Sequence, residues 1–133
     1  MDIATRCSEM SYAVRAKVGA VIVKNGAIIS HGWNGMPAGM PNECEYEKDG
    51  VLVTRNHVMH AEENAILKAT KSGVSLDMAD IYVTLSPCIN CARMCYGAGI
   101  KRIFYKEPYK DNAGEAFYHQ FYLPCEQLIY EDF

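Results

Sequence analysis

Two short motifs hold the residue types from which hydrolytic chemistry is built: His60-Ala61-Glu62 and Pro87-Cys88-Ile89-Asn90-Cys91. Cys88 and Cys91 are three apart, so on a helix their sulfurs face one side and can hold one ion together. With His60 as a third ligand, a tetrahedral zinc keeps one position for water, the arrangement of a catalytic site; a structural site normally closes with a fourth protein ligand. Zinc brings the pKa of water from about 15.7 to roughly 7, which supplies a nucleophile at neutral pH. Glu62, two residues from His60, is placed to take and deliver protons. Two other readings stand beside this one. A Cys-x-x-Cys alone also suits a redox pair, and the same three ligands suit a structural or partner-binding zinc module. An unpaired carboxylate at the metal favours the catalytic reading, because a closed structural site has no use for it.

Both motifs need helix starts to carry them, since unpaired N–H groups and the helix dipole stabilise thiolates and hydroxide there. The pattern predicts a helix over 60–72 stopped by Gly73, and another over 88–98 that ends at Gly99 with Pro87 at its start. Strands are expected at 80–85 and 101–105. Ile3, Cys7, Met10 and Val14 recur at steps of four, three and four, which predicts an amphipathic helix over 2–16. Val18 to Lys24 is a β-branched run, and Asn25-Gly26 joins it to Ala27-Ile28-Ile29 as a hairpin. The stretch from Gly32 to Gly50 is rich in Gly, Pro and Asn and reads as a long functional loop. A short helix and a last strand at 127–130 are expected in the tail. Strand-helix-strand units need parallel pairing with right-handed crossovers, while the hairpin adds antiparallel strands. The expectation is an α/β fold, a three-layer α-β-α arrangement around a mixed, about five-stranded central sheet, with residues 1–133 forming one domain.

The chain has 133 residues, 13 Lys+Arg against 16 Asp+Glu, and 50% hydrophobic residues. A core of this size needs no metal or disulfide to hold it, so a metal here is for chemistry. Six cysteines at irregular spacing, with no export signal, read as metal or catalysis before disulfides. No apolar run approaches the ~18 residues of a membrane span, and the first residues carry no signal-peptide core. The expected location is the cytoplasm, or the host cytoplasm if the source is viral. A net charge of −3 argues against a large nucleic-acid footprint and for a small substrate.

The sequence resembles the zinc-dependent cytidine deaminase superfamily, whose His-x-Glu and Pro-Cys-x-x-Cys signature it carries, and within it the deoxycytidylate (dCMP) deaminases. The resemblance runs from Val14 to about Tyr109. It rests on 15–23, on Gly32-Trp33-Asn34-Gly35-Met36-Pro37-Ala38-Gly39, on 60–67 and on Tyr82-Val83-Thr84-Leu85-Ser86-Pro87-Cys88-Ile89-Asn90-Cys91-Ala92. It implies hydrolytic deamination of dCMP to dUMP and ammonia: metal-activated water attacks C4 of the cytosine, Glu62 protonates N3, and Glu62 later passes a proton to the leaving amine. It implies that Ala61 offers its N–H to the base carbonyl and Ser86 its carbonyl to the departing amino group. Asn34 then reaches the deoxyribose, Tyr109 covers the base and Arg15 meets the 5′-phosphate.

The resemblance further implies a homohexamer activated by dCTP and inhibited by dTTP with Mg2+, the effector lying at Gly32, Trp33, Asn34 and Gly35 with Lys71, and Lys68 beside it, near its phosphates. Trp33 departs from the tyrosine more usual there and also suits the tRNA adenosine deaminase branch; the net charge and the Ser86-Pro87 context favour a nucleotide over a polymer. Some phage-type members bind a second, structural zinc. Cys44 and His57 remain in that region, but Ala13, Glu43 and Val58 stand where further ligands are needed, so one zinc per chain is expected.

Overall fold

The computed structural model describes residues 1–129, and its centre is made of the β-branched runs. In chain order the elements are α1 (Asp2–Ser8), β1 (Gly19–Lys24), β2 (Ala27–Trp33), β3 (Glu45–Lys48), β4 (Val51–Thr54), α2 (Ala61–Lys71), β5 (Asp80–Leu85), α3 (Ile89–Gly97), β6 (Arg102–Glu107), α4 (Ala113–His119) and β7 (Cys125–Gln127). Among the described residues, five strands form one sheet in the order β2-β1-β5-β6-β7, while β3 and β4 pair only with each other. The sheet is mixed: β1 is antiparallel to β2 and β5, whereas β5-β6 and β6-β7 are parallel. At the β1-β2 turn Asn25 and Gly26 both take positive φ, 52° and 76°, as the two-residue hairpin requires.

Alternation on the strands makes two cores. Ala20, Ile22, Ile81, Val83 and Ile103 meet Ala65, Ile66, Ala92 and Cys95 of α2 and α3, with Tyr118 of α4 in the same cluster. Each fully buried isoleucine contributes about 1.5–3 kcal/mol. Val21 and Val23 point the other way, where Ala4 and Cys7 of α1 close a smaller cluster with Trp33. The expected α-β-α layering is thus realised with α1 alone on one face.

Three expectations are corrected. The first helix ends at Ser8 instead of residue 16: Ser11 Oγ donates to Asn34 O at 2.8 Å and accepts the Ala13 N–H, and the N–H groups of Val14 and Arg15 go to the Glu45 carboxylate. Side-chain oxygens thus supply the backbone with an alternative to helix. Met10 and Val14, which completed the apolar period, are exposed. The 32–50 stretch is not wholly irregular, because Glu45–Lys48 and Val51–Thr54 form a second hairpin around Asp49 (φ 53°) and Gly50 (φ 76°). The last strand begins at Cys125, whose buried side chain lies at the register position of Ile103; residue 130, where that strand was expected to end, lies outside the described residues.

Candidate active site

Strand direction sets the location. Because β1 is antiparallel to both β2 and β5 while β6 is parallel to β5, the C-terminal ends of β2, β5 and β6 share one edge. That edge is where open α/β sheets place ligands. Asn34 follows β2, Ser86 follows β5 and Tyr109 comes after β6. All three line one cleft of about 270 Å³ together with Arg15, His60, Ala61, Glu62 and Cys88.

The helix starts deliver the chemistry. His60 is the N-cap of α2, and its N–H donates to the Glu63 carboxylate at 3.1 Å, which fixes its backbone. Cys88 is the N-cap of α3, and Cys91 sits in its first turn, buried. His60 Nδ1 lies 3.3 Å from Cys91 Sγ and 3.6 Å from Cys88 Sγ, and one ligand atom from each of the three lies within 4.8 Å of the others. A tetrahedral zinc with Zn–S near 2.3 Å and Zn–N near 2.0–2.1 Å wants its donors about 3.5–3.8 Å apart, so this nitrogen and these two sulfurs fit the ion. Among the described residues this is the group of three such donors that comes together.

Close backbone packing holds these starts in place. A Cβ at Gly32 would lie 2.7 Å from Ala65 N and 2.8 Å from Ala61 O, so glycine lets β2 run against the first turn of α2. Asn64 Nδ2 donates to Trp33 O and Ser30 Oγ to Ala65 O, tying the same two elements. A Cβ at Gly114 would run into Pro87 O and sit 3.0 Å from Cys88 O, so the first turn of α4 rests directly on the backbone of a metal-type ligand.

Electrostatics separate the roles. Hydrogen bonds from Cys91 and His60 pull the Cys88 thiol well down, toward the thiolate, while the same contact and burial push Cys91 up. The bond to Cys88 raises His60. Glu62 is 4% exposed, and burial pushes its carboxyl up to about 7, against a smaller lowering by hydrogen bonding to the backbone. A carboxyl poised there can hold or release a proton at working pH.

The binding side of the cleft is polar. Asn34 is held on both sides, its Oδ1 accepting the Val18 N–H and its Nδ2 donating to Ala16 O, each at 2.8 Å. Ser86 N–H donates to Glu107 O at 2.8 Å. Arg15 Nη1 donates to Thr54 Oγ1 at 3.0 Å. Lys110 also lines the cleft, its Nζ 5.6 Å from the centre of the Tyr109 ring. Glu45, Thr54 and Lys110 were missed from sequence; Asp49-Gly50, a hairpin signal as strong as Asn25-Gly26, could have placed the first two. Gly32, Trp33, Gly35 and Lys71 do not line the cleft. Gly35 pairs with Met59 in an isolated bridge, Lys68 Nζ sits 5.6 Å over the Trp33 ring, and Lys71 ends α2 exposed.

Residues 1–107 match the family described as the cytidine and deoxycytidylate deaminase zinc-binding region. The chain belongs to that family. Among its relatives, the deoxycytidylate deaminase of Enterobacteria phage T4 is 36% identical over 84% of this chain and 78% of its own. The deoxycytidylate deaminase of Mycobacterium phage D29 is 34% identical over 79% of this chain and 89% of its own. Among solved structures, the dCMP deaminase of cyanophage S-TIM5, crystallised in complex with dCMP and dUMP, is 41% identical, with a TM-score of 0.89 over 96% of this chain and 92% of that one. The deaminase fold and a zinc-type donor set therefore meet in one molecule, and among the described residues no helix is long and apolar enough to cross a membrane.

Proposed function

We propose that this deaminase hydrolyses dCMP to dUMP and ammonia, and that residues 1–133 act as one catalytic domain. The observation that carries the reading is a single cleft lined by His60, Cys88 and a buried Glu62 and also by Arg15, an arginine free of ion pairs among the described residues. Its support from relatives is the cyanophage enzyme, whose structure holds dCMP and dUMP.

His60, Cys88 and Cys91 would hold the zinc, which when bound supplies an acidified water as nucleophile. Glu62 would carry one proton of the attacking water to N3 of the base and then the hydroxyl proton left on C4 to the departing amine, so that dCMP and water leave as dUMP and ammonia. Its burial raises the carboxyl above the ordinary range, which favours holding a proton between the two transfers. The Ala61 N–H binds the base carbonyl and the Ser86 carbonyl takes the amino group, which orients C4. Tyr109 covers the ring, Asn34 meets the deoxyribose, and the Arg15 guanidinium pairs with two phosphate oxygens at once.

Regulation belongs to the same reading: dCTP activates and dTTP with Mg2+ inhibits, through Gly32, Trp33, Asn34 and Gly35 with Lys71, in a cytoplasmic homohexamer. Linkage then makes the coupling between effector and substrate binding reciprocal. Ammonia release from dCMP by zinc-loaded protein, with dCTP and Mg2+ present, tests the function. Turnover is expected; full zinc occupancy without turnover, together with salt-sensitive tRNA binding, would overturn the nucleotide reading in favour of a polymer base.

A further inference from the structure

We propose that Glu45 and Thr54 form a clamp that aims Arg15 into the cleft, which makes both of them positioning residues for binding a phosphorylated substrate; this rests on the role given to Arg15 above. The two are direct cross-strand partners at the open end of the β3-β4 hairpin, so their side chains stand next to each other on one face. Glu45 Oε2 accepts the N–H of Val14 at 2.9 Å and that of Arg15 at 3.1 Å, while Thr54 Oγ1 accepts Arg15 Nη1 at 3.0 Å. One pair thus holds the backbone and the head of the same arginine.

That arrangement solves two problems. Arg15 lies between the end of α1 and the start of β1, where no regular structure fixes its backbone. A long side chain on such a segment samples many rotamers, and restraint at both ends removes that freedom before substrate arrives. The second problem is charge. A glutamate beside an arginine ordinarily neutralises it, but the Glu45 carboxylate is turned to backbone N–H groups, and among the described residues Arg15 makes no ion pair. Thr54 is a neutral acceptor. The guanidinium is therefore held without being quenched, and its remaining N–H donors stay available to an anion. All three residues line the cleft.

The test is steady-state kinetics on dCMP with zinc-loaded Arg15→Ala, Glu45→Ala, Glu45→Gln, Thr54→Val and the Arg15→Ala/Glu45→Ala double variant. Glu45→Ala should raise KM about tenfold with kcat within about twofold, as loss of charge-assisted bonds to a binding residue predicts. Glu45→Gln should recover most of the affinity, because its amide oxygen can still accept both N–H groups. The double variant should bind no worse than Arg15→Ala alone. Thr54→Val, a nearly isosteric change at the surface, should raise KM about threefold and keeps the test open if Glu45→Ala does not fold. The clamp is overturned if Arg15→Ala raises KM while Glu45→Ala and Thr54→Val do not, if the two losses multiply in the double variant, or if Gln behaves as Ala. Unchanged KM in Arg15→Ala would instead sink the role of Arg15, and a wild type inert on dCMP would sink the proposed function.

Discussion

His60, Cys88 and Cys91 stand at the first residues of two helices whose bodies are packed into the main core, whereas Arg15 and Asn34 sit on irregular segments held by hydrogen bonds to backbone. At the reacting end, position follows from apolar packing and close backbone contact, which are dense and hard to deform. At the binding end it follows from a few polar bonds, each worth only about 0.5–1.5 kcal/mol net. Under the proposed function, the first region sets what reaction can occur, and the second sets what can be held in front of it.

The sharpest way to separate the two ends is Glu62→Gln, which removes the carboxyl proposed to carry protons and leaves His60, Cys88 and Cys91 in place. Deamination should fall on the order of 10²–10⁴-fold while zinc content by atomic absorption and far-UV circular dichroism stay as in the wild type. Stripping the metal with a chelator should abolish turnover, with the dichroism spectrum retained and activity returning on zinc addition, because the main core of Ile22, Ile81 and Ile103 does not include the ligands His60, Cys88 and Cys91; unfolding on chelation would show that the reacting end is held by metal instead.

The same variant reads the buried carboxyl. Glu62 is raised from 4.5 to about 7, so between those values the folded state keeps a proton that the unfolded chain has released. The folded state then binds more protons, and its stability falls as pH rises through that window and levels off above it. Denaturant melts of chelated wild type and Glu62→Gln should therefore diverge with this sign, the wild type losing stability relative to the variant from pH 4.5 to about 7.

Gly114→Ala tests whether the ligand end depends on backbone contact. The added methyl would press on Pro87 O and Cys88 O, so a loss of about 1–3 kcal/mol in stability is expected. Zinc affinity, read by competition with a chelating dye, should drop about tenfold. At the binding end, Ser11→Ala removes the bonds to Asn34 O and from Ala13 N–H and should cost about 1 kcal/mol in thermal melts with zinc affinity unchanged. Smallest is Gly50→Ala at the hairpin tip, where φ of 76° disfavours a side chain; about 0.5–1 kcal/mol is expected. A change in zinc affinity in either of the last two would dissolve the distinction between the ends.

The contrast also explains what could be read from sequence. The ligand end was legible because its residues obey local rules: His60 and Cys88 cap helices, Gly73 and Gly99 take positive φ at or after the helix ends, and β5 shows its apolar run. The other end depends on contacts between residues about 30 to 40 apart, such as Glu45 with Val14 and Thr54 with Arg15. Periodicity carries no trace of these. It misled at 9–16, where the apolar period continues but the N–H groups of Val14 and Arg15 find a carboxylate from another part of the chain. Family resemblance recovered Arg15, Asn34 and Tyr109 as lining residues, but not the hairpin behind Arg15.

Among the described residues, that hairpin pairs with no strand of the main sheet. Insertions or deletions at its tip would leave the register of all five central strands untouched, and surface loops tolerate such changes well. Over descent, then, the hairpin can lengthen, shrink or be exchanged while the helix starts remain as they are, so lineages sharing this deaminase chemistry can part ways in substrate without rebuilding the reaction.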